Sequence, residues 1–222
     1  MPGNDNTAGD SPKGASRETS KQPRIPASVP LTEEQLRATT IGELVPLAGP
    51  IQIVDYDPAW PRLFEREAER VQAALGDRVL LLEHVGSTSV PGLAAKPKID
   101  VLLVVANSAD EPAYVPDLEA AGYILRIREP DWYEHRVFKG PDTDINLHVF
   151  SPGCTEIDRM LLFRDWLRSN ASDRHLYERT KRELARKDWK YTQNYADAKT
   201  SVVEEILVRA RGDSGEEARS DD

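Results

Sequence analysis

Apolar and polar positions along the chain follow two rhythms. Between residues 60 and 75, Trp60, Phe64, Ala68, Val71 and Leu75 recur at intervals of three and four, the spacing of one helical face. Asp57 followed by Pro58 predicts the start of that helix, with proline in the first turn where its missing N–H does no harm, and Gly76 predicts its end. The rhythm then changes. Val79, Leu80, Leu81, Leu82 and Val85 form an apolar run that stops at Gly86-Ser87. Small, polar and turn-forming residues follow, and a second apolar run over residues 99–105 is broken near its start by one carboxylate, Asp100. This pattern predicts a strand, a tight glycine turn, a short small-residue segment and a buried strand that carries an acid.

Alternation predicts further strands over residues 52–55, 123–128, 134–139 and 144–150. The second of these places Ile124, Arg126 and Arg128 on one face and Tyr123, Leu125 and Ile127 on the other. In the last, Asp144, Asn146 and His148 share a face opposite Ile145, Leu147 and Val149. Gly140-Pro141-Asp142-Thr143 has the chemistry of a hairpin connection. Helices are expected over residues 112–121, ended by Gly122, and over 173–187 and 195–211. Thr155 and Asp158 read as a capping box ahead of Met160, Leu161, Phe163, Trp166 and Leu167. Thr32 reads as the cap of a short helical piece anchored by Leu36, Ile41 and Leu44.

The fold class that follows is α/β (α+β): one mixed sheet flanked by helices, with a C-terminal helical portion. Residues 1–30 and 212–222, poor in large apolar side chains, read as disordered tails. Residues 31–50 read as an N-terminal extension, and residues 51–211 as a single domain.

Composition narrows the partners. The 222-residue chain carries a formal net charge of −9, which argues against duplex nucleic acid or an anionic membrane as the target. It leaves room for a small phosphorylated ligand gripped by a local basic cluster. No apolar stretch reaches membrane-spanning length, and the N-terminus lacks the apolar core of a signal peptide. The single cysteine, Cys154, forms no internal disulfide framework, so a soluble cytoplasmic protein is expected.

Candidate chemistry centres on the turn and the lone acid. Gly86 lets the backbone come close to a ligand, and Ser87, Thr88 and Ser89 offer hydroxyl and N–H groups suited to phosphate. Asp100, with Asp144 or His148 and assisted by Asn146, is the candidate catalytic group. His84 is a candidate phosphate donor or proton shuttle, and alternatively a satisfied structural histidine. Lys96, Lys98, Arg126, Arg128 and Arg136 are candidates for neutralising phosphate charge. Arg126 and Arg128 read equally as an exposed sheet face, and Asp100 as the structural partner of Lys96 or Lys98. Tyr195 and Lys199 are placed to reach the cleft from the last helix, whereas Arg164 and Asp165 read as a helix-to-sheet contact.

A Gly-Ser turn, a gap and an acid on a buried strand resemble the layout of nucleotidyltransferases of the DNA polymerase β superfamily. More of the chain resembles the GrpB family, which has that fold: Tyr56-Asp57-Pro58-Ala59-Trp60, the block from His84 to Leu93, Lys96-Pro97-Lys98-Ile99-Asp100, Asn146-Leu147-His148-Val149 and Phe163-Arg164-Asp165, in that order. The resemblance implies phosphates on the Gly-Ser turn and Mg²⁺ on Asp100 and Asp144 for in-line attack at phosphorus. The superfamily strand carries two acids one residue apart. Here the flanking positions are Lys98 and Leu102, so one metal ligand is missing in either register.

Three functions stay open at this point. One is a metal-dependent nucleotidyl transfer. The second is a pocket that binds a nucleotide or phosphorylated small molecule without chemistry. The third is a stabilising module for a coenzyme A pathway enzyme, because GrpB-like domains occur fused behind dephospho-CoA kinase.

Overall fold

The computed structural model describes residues 30–217, with side chains described up to residue 213. Of the tails expected over residues 1–30 and 212–222, residues 1–29 and 218–222 lie outside the described residues, and residues 212–217 continue the last helix instead of forming a tail. Five strands form one mixed sheet in the order β1-β2-β5-β4-β3, built from β1 (Leu81–Val85), β2 (Ile99–Val104), β3 (Ile124–Glu129), β4 (His135–Lys139) and β5 (Ile145–Phe150). Only β2 and β5 run parallel, pairing Asp100 with Asn146 and Leu102 with His148. The other neighbours are antiparallel. The α+β architecture read from the sequence is the one observed.

Each face of the sheet has its own cover. Ile99, Val101, Leu103, Leu147 and Val149 pack with Phe138 and Leu125 against α2 (Trp60–Leu75) and α3 (Val115–Ala120), forming the main core. On the opposite face Val85, Leu102, Val104 and Phe150 meet Ile157 of α4 (Thr155–Ser169). Behind α4 lie α5 (Ala171–Ala185) and α7 (Thr200–Glu217), where Leu167, Tyr177 and Ile206 build a smaller core with Val90 and Leu93, and the short α6 (Thr192–Asp197) precedes α7. The apolar side chains of this second face sit toward the ends of β2 and β5 nearest α4. Asp100 and Asn146, at the other ends of the same strands, carry the polar part.

Several expected boundaries move. Residues 52–55 form no strand, only an isolated bridge between Val54 and Ala95. The helix predicted from Asp57 begins at Trp60, because the Asp57 carboxylate instead accepts from the Ala59 N–H at 2.8 Å and closes a turn ahead of it. Thr155 is inside α4 rather than capping it, and its hydroxyl meets Tyr133 at 2.9 Å, so no capping box forms. Thr32 does cap α1 (Glu33–Thr39), with Gln35 returning the bond. The last predicted helix is two: α6 ends at Asp197, and α7 runs past the expected end at Arg211 to Glu217. A register shift between Leu125 and Ile127 breaks the alternation expected along β3.

Candidate functional site

Three strand ends assemble the site. β5 carries Asn146 and His148 on the face opposite Leu147 and Val149, as its alternation predicts. The parallel register sets Asn146 beside Asp100, and Asn146 Nδ2 donates to Asp100 Oδ1 at 2.8 Å. His148 Nε2 lies 3.7 Å from the same oxygen. Asp100 is 30% exposed and His148 19%, so both reach solvent. Burial pushes the Asp100 carboxyl up, but His148 when protonated, the Asn146 hydrogen bond and the Lys199 charge outweigh it and hold the group below the usual carboxylate range.

The Gly-Ser turn plays a part different from the expected one. Gly86 has φ +70°, and a Cβ there would stand 2.6 Å from Asp100 Oδ2. The bare backbone makes room for the acid itself. Ser87–Ser89 form a single 3₁₀ turn. Thr88 and Ser89 are buried and spend their hydroxyls inward, on the Lys98 carbonyl at 3.2 Å and the Gly86 carbonyl at 2.6 Å. Among the described residues Ser87 alone of the three keeps a hydroxyl without a protein partner.

His84 is turned away from Asp100. It is buried on the α2 side, with its ring stacked on Phe64 at 4.9 Å and Nε2 at 3.1 Å from the Thr88 hydroxyl. Burial pulls its pKa down to about 4, against a smaller opposing effect of Asp100. The ring is therefore neutral at pH 7, and the proton-shuttle reading gives way to the structural one. The arginines are also elsewhere. Arg136 and Arg128 clasp Glu111 at 2.6 Å on the α3 side of the sheet, and Arg126 donates to the Glu43 carbonyl at 2.9 Å. Strand parity explains Arg136: it alternates with His135 and Lys139, and it is those two that share the sheet face of His148 and Asp100. Arg164, as expected, joins helix to sheet through Glu83 at 2.7 Å and the His84 carbonyl at 3.1 Å.

Lysines take the place intended for the arginines. Lys98 is ion-paired with Asp144, and Lys139 donates to the Asn146 side-chain oxygen. Burial first, and then the neighbouring Lys98 ammonium, push the Lys139 ammonium down to about 8. Lys96 is lowered in the same way, by burial and then by Lys98. Lys199 rests over the Tyr195 ring at 4.7 Å and is close enough to act on both Asp100 and Lys96. Lys139 was not among the residues singled out from the sequence, where a lysine closing a strand reads as a solvated end.

A second omission lies behind His148. His135 Nε2 is 3.1 Å from His148 Nδ1, and His135 Nδ1 is 2.7 Å from Glu129 Oε2. Four groups thus stand in line: Glu129, His135, His148 and Asp100. Only the pairing of β3, β4 and β5 brings them together.

The donor set does not fit the expected Mg²⁺ centre on Asp100 and Asp144. Asp144 is engaged by Lys98, one Asp100 oxygen by Asn146, and the space between the strands holds ammonium groups that repel a cation. Among the described residues no three His, Cys, Asp or Glu side chains are grouped to hold a metal ion. Two clefts, of about 410 Å³ beside Glu178, Arg182 and Arg186 and about 270 Å³ between Pro50 and Trp189, are lined by other residues than these. Among the described residues no helix is long and apolar enough to cross a membrane.

Comparison with known proteins bears on the family and the fold. The family described as GrpB protein matches residues 50–209. UPF0157 protein BH1888 of Halalkalibacterium halodurans is 65% identical over 183 residues, covering 82% of this chain and 94% of the relative. A dephospho-CoA kinase of Mycolicibacterium paratuberculosis is 31% identical over 160 residues, covering 60% of this chain and 39% of the kinase. The crystal structure of conserved protein GrpB from Enterococcus faecalis superposes with a TM-score of 0.64 at 33% identity, covering 72% of this chain and 96% of that one.

Proposed function

The chain belongs to the GrpB family, within the nucleotidyltransferase-like superfamily, and from that premise we propose that it binds a phosphorylated small molecule, such as a nucleotide or sugar phosphate, on the Asp100 face of its sheet. The observation that carries this reading is the convergence of Lys96, Lys98 and Lys139 beside Asp100 and Asn146, with the Lys96 and Lys139 ammonium groups made costly by burial and by the Lys98 charge. A phosphate group relieves that cost, because its negative oxygens replace the hydration that each ammonium loses on burial. In this reading the lysines supply the fixed positive charge that metal ions supply elsewhere in the superfamily. Asp100 and His148 face the part of the ligand beyond the phosphate, and Ser87 offers its free hydroxyl from the turn.

A thermal-shift panel of nucleotides and sugar phosphates, run with EDTA and with Mg²⁺, tests it. At a ligand concentration a hundred times Kd a specific ligand stabilises by about 2.7 kcal/mol. The expected result is a shift that persists in EDTA. If no compound moves the midpoint the reading fails. A shift confined to Mg²⁺ would favour metal-dependent nucleotidyl transfer instead.

A second reading has its own support. The relatives named dephospho-CoA kinase are more than twice as long as the part this chain covers. This favours a module that docks on or stabilises a coenzyme A pathway enzyme. Capture of a purified dephospho-CoA kinase, together with an empty ligand panel, is the result that would choose it.

A further inference from the structure

The line Glu129–His135–His148–Asp100 has a direction. Its two imidazoles are nearly parallel, 8° apart, with centroids 5.2 Å apart and facing nitrogens 3.1 Å apart. The centroid distance exceeds the nitrogen distance by about the two ring radii, so the rings meet edge to edge and not face to face. Such a pair makes one N–H···N hydrogen bond, and its sense is set from one end. The Glu129 carboxylate accepts only, so His135 carries its proton on Nδ1. His135 Nε2 is then a bare acceptor, and His148 must supply the proton from Nδ1. In the neutral ring this leaves His148 Nε2 bare, aimed toward Asp100.

The surroundings hold the line in place. His135 is buried, stacked on Phe150 at 4.5 Å, with the Trp132 ring edge-on to it at 5.0 Å. Glu156 of α4, the other carboxylate acting on this region, is taken by Arg159 at 2.9 Å, which also binds Glu204 at 2.7 Å. At the open end His148 Nε2 and Asp100 Oδ1 are 3.7 Å apart, beyond direct hydrogen-bond reach. With the His148 ring neutral, both are acceptors there. A gap between two acceptors is filled by a donor, a hydroxyl or a water.

We infer that Glu129 and His135 are positioning residues that hold His148 with its proton on Nδ1, so that Nε2 and the Asp100 carboxylate present paired acceptors to a hydroxyl-bearing phosphorylated ligand. The ligand class rests on the phosphate-binding reading above. The tautomer does not, because it is fixed in the free protein. The lysines meet the phosphate, and the acceptor pair selects for an O–H group beside it.

Long-range proton–nitrogen NMR of the isotope-labelled, ligand-free full chain tests the line, at a pH about two units above the ordinary histidine value of about 6.5. Loss of signals in His148→Gln and His135→Gln assigns the rings. The expected spectrum has Nδ1 protonated and Nε2 bare in both residues. Glu129→Gln, whose amide donates as well as accepts, moves His148 toward the Nε2-protonated form, two residues away from the change. His148 protonated on Nε2 in the wild type overturns the inference without reference to any variant, and so does a Glu129→Gln protein with an unchanged His148 spectrum.

Calorimetry with glycerol phosphate and propyl phosphate tests the selection. Roughly tenfold tighter binding of the hydroxyl compound is expected, and equal binding overturns it. If neither compound binds, the selection for a hydroxyl-bearing ligand fails along with the phosphate reading, and the NMR result still decides the tautomer.

Discussion

At the scale of single residues, the site depends on which side chain occupies which small space. Gly86 is the clearest instance. Its φ of +70° is strained for any other L-residue, and its missing Cβ is the space against which the Asp100 carboxylate lies. Gly86→Ala is expected to destabilise the fold by about 1–3 kcal/mol and to displace Asp100, as urea unfolding and loss of ligand-induced stabilisation will show. His84 and His135 give a second test. Burial holds both near a pKa of about 4, below the unfolded value, so each favours the folded state while neutral. That contribution is complete above about pH 6.5 and is lost as pH falls toward 4. Each proton taken up on unfolding gives a slope of about 1.4 kcal/mol per pH unit. Between these limits His84→Leu should remove about one proton's worth of slope. An unaltered pH profile in that variant would mean that His84 is not the buried neutral group described.

At the scale of elements, strand parity and register decide what meets what. Alternation along β5 was legible in the sequence, and so was the shared face of Asn146 and His148, although Asp144 falls just before the strand. The pairing of β2 with β5, which makes Asp100 their neighbour, was not, because it joins segments 46 residues apart. Arg136 was assigned to phosphate by its charge. Its position one residue from His135 puts it on the other face, and Lys139 takes the role. Arg126 fell to the irregularity in β3, which a strict period of two does not anticipate. The helix α2 hides a further feature: Glu67, fully buried, accepts from Tyr123 at 2.7 Å, from Thr143 at 2.7 Å and from Arg70 at 3.1 Å. It ties α2 to β3 and to the β4–β5 hairpin. Glu67→Ala is expected to cost about 3 kcal/mol, because it leaves buried donors unpaired. Asp142→Ala, at the exposed end of the same network, should cost less than about 1 kcal/mol. Urea denaturation of the two variants separates these outcomes, and equal costs would contradict the network.

At the scale of the whole molecule, the sheet divides its work between faces. One face is closed by α2 and α3 over an apolar core. The other is closed by α4 only over its apolar half, with α5 and α7 supporting α4 from behind. The uncovered half gathers lysines in a chain of net charge −9. An acidic protein that concentrates half-buried ammonium groups at one place has a local reason for doing so, and a phosphorylated ligand is the partner of matching charge. Family and fold were legible from the block around Gly86 and Ser87. That one superfamily acid is missing beside Asp100, with Lys98 and Leu102 at the two flanking positions, was legible too, but the gathering of Lys98 with Lys139 on that face was not.

The central claim is that this anion is held by ammonium groups and not through a divalent cation. Isothermal titration of the best phosphorylated compound from the panel, in EDTA, into the wild-type protein and into a folded Lys98→Ala/Lys139→Ala variant measures it directly. Binding to the wild type in EDTA, weakened at least about tenfold in the variant, is the predicted result. Equal affinity in the two proteins, or heat of binding that appears only when Mg²⁺ is restored, would contradict it.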